Sequence, residues 1–505
     1  MAKKPKFKKG IKRIFLMSTP MRVVRQSIRS AMPPLGLAYI ASVIRDEFDV
    51  FILDPTIEAY DQIRDEPDGF ISYGLTIDQI KRRILWYKPD VVGITCQFSC
   101  NWPWVPRICR AVKEIDPGIV TVTGGTHPAF LARDLIANPD LDFIALGEGE
   151  LAFQSLLRTL RDGGDPRKVS GFAHSLDGEP CLNHPVPLVE NLDTIPFPAR
   201  DLLRLDLYRQ VDVSHTIVSK NRFNAPVLSS RGCPAKCVFC SSTRFWGSRF
   251  RMRSPENVLA EIAELKHRYK VEEIQFEDDN FTAKRRRAMD IMQGMLDRGL
   301  AMPWTMPNGV ALWTMDEEII ALMKESGCYE VALAVESGSQ RVLRDIIHKP
   351  LNIEHAIKVA DLFHKYKIRC VAYFIVGFPG ETKEEIMQTF EVAKRMGVSF
   401  AYFFVASPLP GTELYRNAME KGYLRPDFSF ENLGFFYSEF NTPEWTKEEL
   451  DKMVQTEGLK YNLGLVFRHP GRFARRYVSL LGRPGWAVRT ILPNVVRKTR
   501  IALGI

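Results

Sequence analysis

RGCPAKCVFCSS, residues 231–242, sets Cys233, Cys237 and Cys240 within eight residues of a 505-residue chain that has only nine cysteines. Three thiolates so spaced supply three corners of a metal site. A structural zinc site asks for a fourth Cys or His at finger-like spacing, and the nearest later histidine, His267, falls inside a helical segment. A redox disulfide needs two cysteines only, and Gly232 and Pro234 put the loop in a turn rather than at the start of a helix. The best fit is a [4Fe–4S] cluster with one iron left without a protein ligand.

The surroundings of this loop give it a place in a fold. It follows the strand candidate PVLSS, and five more follow: EEIQFED (272–278), PWTMPNG (303–309), EVALAVE (330–336), RCVAYFIVG (369–377) and FAYFFVA (400–406). Helical segments such as SPENVLAEIAELKHRY and TKEEIMQTFEVAKRMG separate them. Six βα units in a row predict a partial (β/α)6 barrel with its chemistry at the C-terminal rim, where the cysteine loop lies. Cys328 and Cys370 read as core residues, free cysteine being among the most buried side chains.

Upstream, RIFLM, DVFILD (49–54), DVVGITC (90–96), IVTVTGG (119–125) and DFIALGE alternate with amphipathic segments of helix length. These predict an α/β, doubly wound sheet of five parallel strands, with ligand-binding loops at the strand C-terminal ends. A last helix and a small hairpin fill 151–185. The organisation expected is a basic arm (1–10), the doubly wound domain (11–184), a proline-rich linker (185–224), the barrel (225–430) and a C-terminal helical region with a basic tail (431–505).

Composition bounds the rest. With 45% hydrophobic and 26% charged residues the bulk is globular. An odd number of scattered cysteines without a secretory apolar segment argues for the cytoplasm. The net charge of +9 is carried by the end of the chain: after Glu457 there is no Asp or Glu but ten Lys or Arg, and the remainder holds 59 basic against 60 acidic residues. Residues 461–505 mix arginines with Phe467, Phe473, Tyr477, Leu480, Trp486 and Ile491, interrupted by Pro470, Pro484 and Pro493. Short amphipathic pieces of this kind suit the anionic inner face of a membrane; a tail that packs on its own barrel is the alternative. No apolar run reaches the ~18 residues of a spanning helix, and no RNA- or DNA-binding module is visible.

The cysteine spacing, with Phe239 just before the third thiol, resembles the CxxxCxΦC signature of the radical S-adenosylmethionine (SAM) superfamily. The resemblance extends over about residues 225–420. FEDDNFT (276–282), with Glu277, Asp278 and Asp279, resembles the segment that receives the methionine amino group. AVESGSQRVL (334–343) offers Glu336 and Ser337 for the ribose and carboxylate. IVGFPGET (375–382), with Gly377, Pro379 and Gly380, and SPLPGTEL (407–414) resemble the segments beside the adenine. MPPLGLAYIASVI, PDVVGIT, VTGGTHPAF and DFIALGEGE resemble the cobalamin-binding domain fused to many such enzymes, which implies cofactor contacts at Thr95, Gly124, Gly125, Thr126, His127, Gly147 and Glu148. The DxHxxG loop of some cobalamin domains is absent: its position reads STPMRVV, so the lower cobalt face is expected to lack a protein imidazole. His127 is expected to be a structural or tail-side residue, and Trp102 and Trp104 to pack.

The resemblance implies an enzyme in which the unligated iron takes SAM and an electron splits it to a 5′-deoxyadenosyl radical. Methylcobalamin would then methylate an unactivated carbon of a hydrophobic substrate, as in the branch with the anaerobic magnesium-protoporphyrin monomethyl ester cyclase, bacteriochlorophyll side-chain methylases and hopanoid methylases. A flavodoxin or ferredoxin would supply electrons. Oxidative cyclisation without methyl transfer is the second reading, and a non-catalytic cobalamin or metal sensor the third.

Overall fold

The computed structural model describes residues 7–474, apart from 26, 28, 212–214, 216–218, 222, 248 and 473. Two compact units divide the chain: one from Met1–Ser27, Ala31–Val211 and Ser429–Leu433, the other from Ile28–Ser30, Asp212–Phe428 and Gly434–Ile505.

Among its described residues the first unit has ten strands: β1 (Arg13–Ser18), β2 (Met21–Val24), β3 (Asp49–Leu53), β4 (Ile63–Asp65), β5 (Phe70–Tyr73), β6 (Val91–Thr95), β7 (Val120–Gly124), β8 (Phe143–Ala145), β9 (Phe172–Leu176) and β10 (Glu179–Leu182). Its main sheet runs β10-β9-β8-β7-β6-β1-β3. The strands β3, β1, β6, β7 and β8 are the five expected and pair in parallel. The hairpin β9–β10 adds two antiparallel strands at the edge, so the sheet has seven strands rather than five.

Successive residues of β1 show why these strands read as continuous apolar runs. Ile14 and Leu16 lie in a core with the helices Leu35–Ile44 and Gly149–Asp162, while Phe15 and Met17 lie in another with Ile77–Tyr87 and Trp104–Ile115. A strand covered on both faces has no polar side to show. Trp102 and Trp104 are buried in the second core, as packing residues.

Two features depart from the sequence reading. The strands β2, β5 and β4 form a separate antiparallel sheet that the sequence did not announce. The supposed linker is not one along 185–211: Val189, Leu192, Ile195, Ala199 and Leu203 are buried, and Ala199 and Leu203 join the first core. Their irregular spacing among prolines hides that burial.

In the second unit, β11 (Asn224–Val227), β14 (Glu273–Phe276), β15 (Trp304–Met306), β16 (Cys328–Glu336), β17 (Arg369–Val376) and β18 (Phe400–Val405) form one parallel sheet in sequence order; β12 (Ser230–Arg231) and β13 (Arg251–Met252) pair beside it. Cys328 and Cys370 are buried in it. The connecting helices start where the sequence caps them. Ser254 accepts a hydrogen bond from Asn257 N at the head of Pro255–His267, and Thr382 and Glu385 close a capping box on Lys383–Met396.

The last two strands have unlike faces. Phe403 packs on the helix side, 4.4 Å from Phe390 and 5.4 Å from Tyr461 by ring centroids. Tyr373, Tyr402 and Phe404 stand on the opposite, half-buried face, their rings 5.5–5.7 Å apart. The final described helix, Lys447–Arg468, packs back on this unit through Tyr461 and Leu465, and Arg472 donates to the Gly397 carbonyl at 2.6 Å. Leu463 and Phe467 of the same helix are exposed, Phe467 by 86%. Residues 475–505 of the basic tail lie outside the described residues. Among the described residues no helix is long and apolar enough to cross a membrane.

Candidate functional site

The cysteine loop begins at Gly232, whose φ of +85° is the left-handed turn that glycine allows. Cys240 N donates to the Cys237 carbonyl at 3.1 Å, folding the two later thiols into one turn. Val238 between them is held on both sides: its N–H donates to the Ile347 carbonyl at 3.1 Å, and its carbonyl accepts from Leu414 N at 3.0 Å. The loop is thus pinned to the segments following β16 and β18. All three cysteines are free thiols, and the Asn280 amide points at Cys233 Sγ from 3.8 Å. Burial pushes the Cys237 thiol up to about 11 and the Cys240 thiol up to about 12. Thiols so raised become thiolates where a metal displaces their protons.

Asp278 and Asp279 end the second barrel strand with different surroundings. Asp278 is 1% exposed; it accepts from Ser229 N at 3.1 Å, from Ser229 Oγ at 2.7 Å and from Ser230 Oγ. That is a brace between neighbouring strand ends, with two of the three donors on Oδ1 and one on Oδ2. Asp279 is half-buried, and one of its oxygens accepts from Gly232 N at 3.2 Å and Ser242 Oγ at 2.7 Å, clasping the start and end of the cysteine loop. Burial raises both carboxyls above the usual range. Glu277 accepts from Asn308 Nδ2 at 3.3 Å and faces His215 Nδ1 at 2.9 Å through Oε2, while its Oε1 is buried with no partner among the described residues.

At the end of β16 the register slips between Ala334 and Glu336, and Glu336 has a φ of +69°, strained for a residue with a Cβ. Its carboxylate accepts from Lys349 Nζ at 2.8 Å. Ser337 is fully buried and accepts from Ser339 N at 3.1 Å. After β17, Gly377 N and Phe378 N donate to Glu381 Oε2 at 2.7 and 3.1 Å, which shapes the GFPGE turn; burial pushes the Glu381 carboxyl up to about 8. Phe378 meets Phe239 of the cysteine loop, ring centroids 5.8 Å apart. Pro379 and Gly380 are half-buried at the turn's edge, and Arg341 bridges the two loops by donating to the Gly380 carbonyl at 2.8 Å and to Glu385. The cysteine loop, the acidic strand end, the ESGS loop and the GFPGE turn therefore share one rim.

The residues expected to meet cobalamin gather at the C-terminal ends of β6, β7 and β8. Gly125 has a φ of +113°, and a Cβ there would stand 2.5 Å from the Cys96 carbonyl. Its glycine thus serves the close approach of β6 and β7. Thr95 and Gly124 pair across those strand ends, and Thr126 donates through N and Oγ1 to Gln97 at 3.3 and 2.9 Å. Gly147 and Glu148 are buried, and Glu148 accepts from Val189 N at 3.0 Å. His127 is 2% exposed, its Nδ1 2.9 Å from Ser99 Oγ and its ring 5.2 Å from Trp102. Burial pushes its pKa down to about 4, so it stays neutral, and Nε2 has no partner among the described residues. In the STPMRVV stretch Arg22 is buried, its guanidinium 3.8 Å from the Phe70 ring centre and donating to the Glu431 carbonyl at 2.6 Å.

Two family models match: the radical SAM superfamily over residues 227–393 and the B12 binding domain over 21–157. The cytidylyl-2-hydroxyethylphosphonate methyltransferase of Streptomyces wedmorensis is 32% identical over 481 residues, covering 89% of this chain and 90% of that one. The chain belongs to the cobalamin-dependent radical SAM family.

An anaerobic magnesium-protoporphyrin IX monomethyl ester cyclase of Rubrivivax gelatinosus is 28% identical, covering 80% of this chain and 69% of that one. In fold, the cobalamin-dependent radical SAM enzyme OxsB, solved with aqua-cobalamin and SAM, matches with a TM-score of 0.69 at 16% identity, over 93% of this chain and 70% of that one. As a cobalamin-dependent radical SAM enzyme the chain uses a [4Fe–4S] cluster, SAM and cobalamin. The donor sets suit them. Among the described residues no three His, Cys, Asp or Glu converge on one metal ion, whereas thiolates of a four-iron cluster each take a different iron. His127 Nε2, buried without a partner among the described residues, is an atom a bound group could hydrogen-bond.

The sequence reading passed over Lys349, Glu381 and Arg22. Lys349 and Arg22 are single charged residues whose burial depends on distant segments, and no local pattern marks them; Glu381 lies in the quoted GFPGET stretch, but nothing in it says that its carboxylate turns inward to hold the turn.

Proposed function

We propose that this cobalamin-dependent radical SAM enzyme methylates an unactivated carbon of an apolar small molecule. The observation that carries the reading is the pinning of Val238 to Ile347 and Leu414, which holds three free thiols on the barrel rim beside Glu336. In this reading Cys233, Cys237 and Cys240 hold the cluster. Glu277, Asp279, Glu336, Ser337, Gly377, Pro379 and Gly380 hold SAM, with Phe239 packed behind its adenine side, and Asp278 keeps the strand ends together. Thr95, Gly124, Thr126, His127, Gly147 and Glu148 surround cobalamin, and Gly125 gives their loop its path. When bound, the cluster and SAM supply a radical that abstracts hydrogen, and cobalamin supplies the methyl group. The chain's own part is placement: Asp279 fixes the cysteine loop, Arg341 and Glu385 hold two loops at one distance, and the buried rim excludes water.

Support for an apolar substrate comes from Tyr373, Tyr402 and Phe404, whose half-buried rings offer an aromatic face for stacking. A tetrapyrrole or polycyclic lipid would suit it. A flavodoxin or ferredoxin in the cytoplasm would provide electrons, and residues 461–505, beginning with the exposed Leu463 and Phe467, would touch an anionic membrane surface. The cyclase relative favours a second reading, oxidative ring closure without methyl transfer. Reconstituted enzyme turned over with methyl-labelled SAM separates the two: label in the product is expected, and unlabelled product with 5′-deoxyadenosine overturns methylation in favour of cyclisation.

A further inference from the structure

Lys349 and Glu336 form a deeply buried acid–base contact on the rim, Nζ to Oε1 at 2.8 Å, with side chains only 8% and 7% exposed. A buried ion pair is costly to desolvate and is weak evidence of stabilisation by itself. Its position is what distinguishes it. The Val238–Ile347 hydrogen bond ties the residue next to Cys237 to a carbonyl two residues before Lys349. Lys349 N in turn donates to the Leu343 carbonyl at 2.8 Å, closing the π-helical turn Val342–Ile347, with His348 in the left-handed region at φ +62°. The same short segment therefore fixes both the cysteine loop and the lysine backbone. The ammonium lies close enough for its charge to act on Cys237 and Cys233, and at Cys237 it outweighs the opposing Glu336 carboxylate.

We infer that Lys349 is a positioning charge for the cluster, its ammonium steadied by Glu336 beside two of the three thiolates so that the one-electron-reduced form is favoured. Three thiolates around a [4Fe–4S] core leave a net negative site, and taking one electron from an external reductant adds one more negative charge. A fixed cation in a buried site offsets that addition, and net charge around a cluster is one of the settings of its potential. Lysine suits this role as a compact point charge, and the carboxylate prevents its ammonium from turning away.

This inference rests on the cysteine loop holding a cluster, and the test separates the two. Full-length chain, reconstituted anaerobically with iron and sulfide and without SAM, is titrated with dithionite and mediators while the reduced cluster is followed by electron paramagnetic resonance. Wild type, Lys349→Met, Lys349→Arg and Glu336→Gln are compared. Lys349→Met is expected to shift the oxidised-to-reduced ratio at fixed potential about tenfold toward oxidised, 59 mV for one electron. Lys349→Arg is expected to return to within about twofold of wild type, and Glu336→Gln to shift the opposite way because the ammonium is then unopposed. Coincident curves for wild type and Lys349→Met, both with full clusters, overturn the inference. So does Glu336→Gln moving in the same direction as Lys349→Met, the mark of a merely structural clamp. If Lys349→Met fails to hold a cluster, the sign of the Glu336→Gln shift decides. Wild type without an iron–sulfur cluster overturns the functional reading itself.

Discussion

Asp278 and Asp279 are neighbours in sequence, yet substitution at each removes something different. Asp278→Ala strands two serine hydroxyls and a backbone N–H in a buried site, for an expected loss of about 1–3 kcal/mol of stability. Asp279→Asn keeps its shape and is expected to leave stability within about 1 kcal/mol while weakening SAM binding at least about tenfold, about 1.4 kcal/mol. Urea unfolding and equilibrium binding of SAM to the reconstituted protein check both; equal effects of the two variants on SAM would contradict the division of roles. Gly125→Ala belongs at the same scale. Its Cβ would stand 2.5 Å from a carbonyl oxygen at φ +113°, so a stability loss of roughly 1–3 kcal/mol is expected, read as a lower urea midpoint. An unchanged midpoint would show that β6 and β7 can part without cost.

Among elements, the helix Lys383–Met396 is the one through which the rim loops are joined. Glu385, at its third position, takes Arg341 from the ESGS loop, and that guanidinium holds its carboxyl down to about 2 from the ordinary 4.5. A carboxyl lowered on folding stabilises the folded chain above about pH 4.5, and that stabilisation drains away as the pH falls toward 2. Arg341 is 46% exposed, so the pair is given about 1 kcal/mol. Arg341→Gln is expected to lower the urea midpoint at pH 7, with the gap to wild type narrowing progressively as the pH is lowered from 4.5 toward 2; a gap unchanged over that range would contradict this. Elements of this length were also the ones legible in sequence. Strands β1, β6 and β7 announce themselves because both faces are buried, so every buried residue in them is apolar or small. Strands β2, β4 and β5 have three or four residues, and β4 reads Ile-Arg-Asp, too short for any period to show. Likewise the cysteine triad and the GFPGE turn are local patterns and could be read, whereas Lys349 is one of 69 Lys and Arg residues and gains its meaning only when β16 ends beside it.

For the whole molecule, cluster and cobalamin are assigned to residues of different compact units, so the two can be lost separately. Cys233, Cys237 and Cys240 changed together to Ala are expected to abolish iron and sulfide binding while corrinoid still binds one per chain, as checked by metal and corrinoid assay after anaerobic reconstitution. Loss of corrinoid with the cysteines would contradict that independence. The central claim is narrower: three thiolates grip a cluster whose fourth iron is open to SAM. Its most direct measurement is the electron paramagnetic resonance spectrum of the dithionite-reduced, reconstituted full-length protein before and after addition of SAM. The expected result is a [4Fe–4S] signal whose shape changes when SAM is added. A cluster signal indifferent to SAM, or zinc in place of iron, would contradict it.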